Sequence, residues 1–333
     1  MTALDVDIRL TRGAFRLAAK FTAPGDGITV LFGPSGSGKS SLLSAIAGLT
    51  ASEGQIQLDT RLLSDHAAGV HLPPHKRGIG MVFQDARLFP HLTARQNIAY
   101  AWTRAPENRR RDIGDVARFF DIVSQLDRPV GNLSGGEKSR VALARSLVAA
   151  PDFLLLDEPF AALDGMRRRA FIQVLLETHE NYHLPMLVVT HSIDDAAALA
   201  SNLVALDNGS VLACGPFDRA TRDPAFAALL DSRDSGAAVS GLLLHSGHGN
   251  ARRYLWLRAD HIVLATEHPR AISTRNVLEG HVASIRNEHD GSRLVELKTP
   301  AGTILSRVTV EAVEELGLAE GIRAWALVKA HAL

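Results

Sequence analysis

Apolar residues along this chain fall into two textures that meet near residue 232. In the first, the apolar runs are short and continuous: "ITVLF" at 28–32, "FLLLD" at 153–157, "MLVVT" at 186–190 and "LVALD" at 203–207. Strands buried on both faces read this way, because neither side alternates with solvent. Between such runs the period becomes helical, as in "SLLSAIAGL" at 41–49, where Leu42, Leu43, Ile46, Ala47 and Leu49 repeat at helix spacing. Strands alternating with helices predict an α/β fold around a parallel sheet. The polar, small-residue stretch "DSRDSGAAVSG" at 231–241 then reads as a connector. After it come "LWLRA", "HIVLA", "VLEGHVASI", "LVELKT" and "TILSRVTV", short segments punctuated by Gly, Pro and Asp, which predict a small all-β domain.

Composition narrows the setting. A chain of 333 residues suits about two domains. Lys plus Arg equals Asp plus Glu at 36 each, so no global basic field recruits nucleic acid or anionic lipid. The single cysteine, Cys214, excludes an internal disulfide and fits a reducing compartment, so the expected location is cytoplasmic. The start, "MTALDVDIRL", alternates acidic and apolar residues and lacks the basic flank and apolar core of a signal peptide. No apolar run approaches the ~18 residues of a membrane span, so any membrane role is peripheral.

The chemistry concentrates at turns. "GPSGSGKSS", 33–41, sits between the first continuous strand and its helix and matches G-x-x-x-x-G-K-[ST]. Gly33, Pro34, Ser35, Gly36, Ser37, Gly38, Lys39, Ser40 and Ser41 are therefore the expected ATP-binding loop. Its glycines let the backbone wrap the phosphates, Lys39 reaches the β and γ oxygens, and the Ser40 hydroxyl is a ligand for Mg²⁺. "DEP" at 157–159 ends a buried strand, which suits Asp157 to hold magnesium and Glu158 to act as general base. His191, ending the next strand, can bond the γ-phosphate or the attacking water; alone, a histidine there is more often structural. "LSGGE" at 133–137 offers backbone N–H groups at a helix N-terminus, a natural anion seat, yet nothing around it supplies a lysine or a metal ligand. It reads as half of a site.

In this order "GPSGSGKS", "LSGGE", "LLLDEP", "AALD" and "THS" resemble the ATP-binding subunit of ABC transporters, over residues 1 to about 232. The resemblance implies a helical subdomain at about 86–150. It also implies a head-to-tail homodimer in which Ser134, Gly135, Gly136 and Glu137 face the ATP held by the other subunit. Asp164 of "AALD" would lie at the dimer seam, and Gln84 would contact magnesium and the attacking water. Phe15 either stacks on adenine or packs in the core. The loop Arg87, Leu88, Phe89, Pro90 and His91 would dock an integral-membrane permease dimer, with Leu88 equally suited to packing the insert.

The tail "ISTRNVLEG" with "WALVKAHAL" resembles the Mop/TOBE β-domain, an OB-like fold, over 273–333, with 233–272 as linker and first β segments. Thr274 and His331 depart from the usual pattern. A tetrahedral dianion needs cations and hydroxyl or N–H donors, and Ser273, Arg275, Asn276 and Lys329 offer such a set. Arg275 and Lys329 read equally as solvated strand charges. The fold class expected is thus an α/β P-loop NTPase with a helical insert, followed by a small all-β domain. Together the two resemblances imply the ATPase of a molybdate or tungstate importer on the cytoplasmic face of the inner membrane, fed through its permease by a periplasmic oxyanion-binding protein. Sulfate, polyamine or sugar import is the alternative, and a soluble ABC protein acting on nucleic acid a more distant one.

Overall fold

A computed structural model describes residues 3–161, 163–230, 235–240, 254–270, 272, 276–288 and 290–328. The chain forms two compact units, Met1–Ser192 with Asn202–Cys214, and Ile193–Ser201 with Gly215–Leu333. The second unit takes in Ile193–Ser201 and the stretch from Gly215 to about 230, from within what was expected to be the first domain.

The first unit is built on one sheet. Its strands are β1 (Leu4–Arg12), β2 (Phe15–Ala23), β3 (Ile28–Phe32), β4 (Glu53–Leu58), β5 (Arg61–Asp65), β6 (Val70–His71), β7 (Ile79–Val82), β8 (Phe153–Asp157), β9 (Met186–Thr190), β10 (Asn202–Asp207) and β11 (Ser210–Pro216). They run in the order β6-β5-β4-β1-β2-β11-β10-β3-β9-β8-β7. From β10 to β7 every pairing is parallel, as the continuous apolar runs predict, and β3, β8 and β9 are buried throughout. The other end departs from the expected parallel sheet: β1 pairs antiparallel with both β2 and β4. The reason lies in the pattern of β1, which alternates buried and exposed residues along its length, so it covers the core with one face only.

Helix α1 (Lys39–Ile46) follows β3, the insert between β7 and β8 carries α2 (Ala94–Trp102), α3 (Ile113–Phe119) and α4 (Gly135–Val148), and α5 (Gly165–Tyr182) crosses from β8 to β9. Among the described residues no helix is long and apolar enough to cross a membrane.

In the second unit α6 (Ile193–Leu199), α7 (Phe217–Ala220) and α8 (Pro224–Ala227) accompany a hairpin of β12 (Gly236–Ser240) with β13 (Tyr254–Arg258). A five-stranded antiparallel sheet runs β14 (Ile262–Ala265), β18 (Arg323–Val328), β15 (Asn276–Asn287), β16 (Arg293–Thr299), β17 (Gly302–Val308). Its edge strand β14 comes from the segment 233–272 expected to hold the linker and first β segments. One short helix, α9 (Val310–Glu315), interrupts the all-β pattern, and Leu257, Ile262, Val282, Val295, Leu297 and Ile304 form the core.

The position of α1 matters most for the chemistry, because its first residue is Lys39. Eight residues make a marginal helix, and the carbonyls of its last turn need partners. Arg77, fully buried, supplies them: Nη1 donates to Ala45 O at 3.0 Å and Ile46 O at 2.8 Å, and Nε donates to Leu72 O at 2.8 Å. The cation sits at the negative end of the helix, and burial lowers its pKa below the ordinary arginine value. Gly48, at φ 78, lies against the guanidinium, where a Cβ would collide with it. Arg77→Met should lower the stability of the first unit by about 3 kcal/mol, since charged hydrogen bonds are lost and buried carbonyls left unpaired. An unchanged urea-unfolding midpoint for this variant would show that Arg77 is not the cap.

Candidate nucleotide site

The loop from Gly33 to Ser41 joins β3 to α1, at the carboxyl end of the parallel strands where α/β sheets place their ligands. Gly36 and Gly38 adopt φ 84 and 105, a left-handed backbone that glycine takes without strain. Support comes from beneath, where Gly209 N–H donates to Ser37 O at 3.0 Å. Lys39 is buried, and its ammonium donates to the carbonyls of Gly33 at 2.8 Å and Pro34 at 2.7 Å, which folds it along the loop. Burial lowers its pKa, while Glu158 and Asp157 pull the other way.

The strand register brings the acidic groups to this loop. Phe32 lies beside Thr190 and Asp157 beside Val189, so β3, β9 and β8 end together. The Ser40 hydroxyl reaches Asp157 Oδ1 at 3.1 Å. Burial raises the Asp157 pKa, the Ser40 bond opposes that, and the neighbouring Glu158 charge adds to it. Glu158 takes φ 43, an uncommon backbone for a non-glycine residue, and its Oε1 lies 3.4 Å from His191 Nδ1. Strain of this kind persists where surroundings over-determine it, as at reaction centres.

A cleft of about 350 Å³ opens over the loop, lined by Arg12, Phe15, Ser35, Gly36, Gly38, Lys39, Ser40, Ser41 and Glu158. Phe15 packs against the core and also lines the cleft, its ring against Gly38. Arg12 was not singled out by motif. It enters because Arg12 and Phe15 face each other across the β1–β2 turn, a pairing visible only once the hairpin register is known.

Ser40 Oγ and Asp157 Oδ1 are hard oxygen donors of the kind magnesium takes. Among the described residues no three His, Cys, Asp or Glu side chains converge, so an ion here would draw the rest of its shell from phosphate and water. Gln84 lies two residues past the Val82–Leu156 pair that flanks Asp157, exposed and, among the described residues, without a side-chain hydrogen bond. The fold places it near the carboxylates without joining it to them.

Ser134 N-caps α4 in a capping box: Glu137 Oε2 accepts from Ser134 N at 2.7 Å, and Ser134 Oγ accepts from Glu137 N at 3.4 Å. The backbone bond from Ser134, and after it the bond from Gln125 Nε2 at 3.0 Å, hold the Glu137 carboxyl down at about 2. Ser134 and Gly135 are exposed, and none of Ser134, Gly135 and Gly136 lines the cleft over Gly33–Ser41. Asp164 N-caps α5, accepting from Arg167 N at 3.0 Å. Of the docking loop, Arg87, Pro90 and His91 are exposed, whereas Leu88 is half-buried and Phe89 packs edge-on against Tyr100, ring centres 4.6 Å apart. Of the oxyanion set, Ser273, Arg275 and Lys329 lie outside the described residues, as does His331; Asn276 opens β15 opposite Val328 of β18.

Comparison with known proteins agrees with this geometry. Residues 18–161 match the ABC transporter family and residues 272–333 the TOBE domain. The molybdenum import ATP-binding protein ModC of Rhodospirillum rubrum is 38% identical over 99% of this chain and 97% of its own. Among solved structures, cbiO1 from Clostridium perfringens, part of the ABC transporter complex cbiONQ, superposes with a TM-score of 0.55 at 26% identity over 64% of this chain and 88% of its own. An ATP-binding cassette solved as a dimer in a post-hydrolysis state with ADP and Pi gives a TM-score of 0.54 at 26% identity over 65% and 98%. The chain belongs to the ABC transporter family: it is an ABC ATPase carrying a C-terminal TOBE domain.

Proposed function

We propose that this chain is the ATP-hydrolysing subunit of an importer for molybdate or its near-isostere tungstate, bound peripherally at the cytoplasmic face of the inner membrane. The observation that carries the catalytic part is the convergence of Ser40, Asp157, Glu158 and His191 at the ends of adjoining parallel strands beside the phosphate loop. The substrate follows from the relatives, whose name is molybdenum import ATP-binding protein.

In this reading Lys39 leaves its loop carbonyls for the β- and γ-phosphates, and backbone N–H groups of Gly36–Ser40 hold the remaining oxygens. Ser40 and Asp157, with Gln84 brought in, would hold magnesium, which neutralises charge developing on the phosphates. Glu158 takes the proton of the attacking water, and His191, against its carboxylate, orients that water and the γ-phosphate. Ser134, Gly135 and Gly136 complete the site of a second copy, since they do not line their own cleft and a helix N-terminus suits a foreign phosphate. Asp164 lies at that seam. Hydrolysis then releases the pair and moves the permease dimer docked on Arg87–His91, itself supplied by a periplasmic oxyanion-binding protein. The TOBE domain senses internal oxyanion through Ser273, Arg275, Asn276 and Lys329 and restrains turnover.

Glu158→Gln should retain ATP binding, lose phosphate release by at least about 100-fold, and accumulate as an ATP-bound dimer in light scattering. Continued hydrolysis by that variant defeats the base assignment. A bulky residue at Ser134 in both copies should abolish dimer formation with ATP while leaving single-copy nucleotide binding within about two-fold, because only the partner's phosphate is blocked. Calorimetry on the full chain should detect molybdate and tungstate but not sulfate, with Arg275→Ala abolishing the signal. Equal heats for sulfate, or no change in the variant, would remove the oxyanion reading and leave the ATPase untouched.

A further inference from the structure

The loop after β7 carries an arrangement that the reaction alone does not require. Ala86 and Arg87, consecutive and neither of them glycine, adopt φ 59 and 41. Left-handed backbone at two successive side-chain-bearing residues is unfavourable and persists only if something holds it. Beyond the turn's own backbone bonds, from Ala86 N to Phe83 O at 2.9 Å and from Arg87 N to Asp85 O at 2.7 Å, a side chain holds it from outside: Arg145, in the third turn of α4. Its Nη1 donates to Arg87 O at 2.8 Å and its Nη2 to Ala86 O at 3.1 Å, one bond to the carbonyl of each left-handed residue. Nη1 also lies 3.5 Å from Asn97 Oδ1, and the guanidinium sits 5.6 Å from the centre of the Phe89 ring.

Asn97 is fully buried and closes the same turn from α2, accepting from Phe89 N at 2.8 Å and donating to Phe89 O at 3.2 Å. No acidic side chain among the described residues pairs with Arg145, and its burial lowers the guanidinium pKa. A half-buried cation spent on two carbonyls is a costly way to hold a surface loop, unless the shape of that loop matters.

What the shape controls is at its two ends. Gln84 stands two residues before Ala86. Arg87 lays its guanidinium 3.9 Å over the Phe83 ring, and its charge is the least of the influences on the Asp157 carboxyl. Arg145 itself rides on the helix that Ser134 caps, roughly 16 Å away along the axis. We infer that Arg145 is a positioning residue for hydrolysis: by clamping the left-handed Ala86–Arg87 turn it sets where Gln84 and Arg87 stand relative to Asp157 and Glu158. It also makes the helix bearing Ser134 and the Gln84 turn move as one body. This rests on the nucleotide-site reading above. An arginine is required, because only a planar fork reaches both carbonyls at once.

Steady-state ATPase kinetics on Arg145→Met and Arg145→Lys, each also combined with Ala86→Gly, test it. With the clamp gone, the glutamine and Arg87 drift while the phosphate loop is untouched. Each single variant should therefore lose about 10-fold in kcat, with KM for ATP and the thermal midpoint nearly unchanged. Ala86→Gly removes the strain the clamp opposes and should recover several-fold of that loss in either background. The inference is overturned if kcat is unaffected, if KM and the thermal midpoint fall together with kcat, or if the glycine restores nothing. Glu158→Gln, assayed alongside, separates the two levels: turnover by that variant would condemn the site assignment, whereas its silence leaves the clamp to be judged on the Arg145 series. Arg145→Lys serves where the methionine variant fails to fold.

Discussion

The hydrogen bond from the Ser40 hydroxyl to Asp157 Oδ1 joins residues 117 positions apart, and the geometry of the candidate site depends on it. One end belongs to the first turn of α1, the other to the last residue of β8, and neither has a role alone. They meet because β3 and β8 flank β9 in parallel, fully buried and ending level. Parallel strands point all their carboxyl ends one way, so loops that follow different strands share one rim. Burial there raises the Asp157 pKa, a cost that a cation at the same place would reverse.

Around that rim the backbone is used as a holding device. Gly36 and Gly38 take left-handed conformations freely, but Glu158, Ala86 and Arg87 take them with side chains present. In each case a neighbour fixes the outcome: His191 lies against Glu158, and Arg145 bonds the carbonyls of the other two. Arg77 belongs to the same strategy. It ties down the end of α1 opposite Lys39 and so keeps the phosphate loop from shifting along its helix. Arg77, fully buried, and Arg145, half-buried, belong to no motif and yet hold the segments that carry the motifs.

The capping box at Ser134 explains why the signature segment is rigid although exposed. Glu137, held near pKa 2, stays ionised across physiological pH and keeps the Ser134 N–H bonded. A helix start leaves its first-turn N–H groups without partners inside the helix, a partial positive charge suited to an anion.

Much of this was legible in the sequence. The phosphate loop, the acidic strand end, His191 and the helix start at Ser134 are local patterns, each readable because a turn type or a cap demands particular residues at fixed spacing. The division into an α/β part and a β-rich tail was equally plain, since continuous and short punctuated apolar runs differ at a glance. Other features were decided only by the tertiary structure. The antiparallel end of the sheet, the capture of α6 by the second unit, and the presence of Arg12 in the cleft depend on which strands became neighbours. Arg77 and Arg145 were invisible for the same reason. A side chain whose partners are backbone carbonyls leaves no complementary residue type in the sequence, so only the folded chain reveals what it holds.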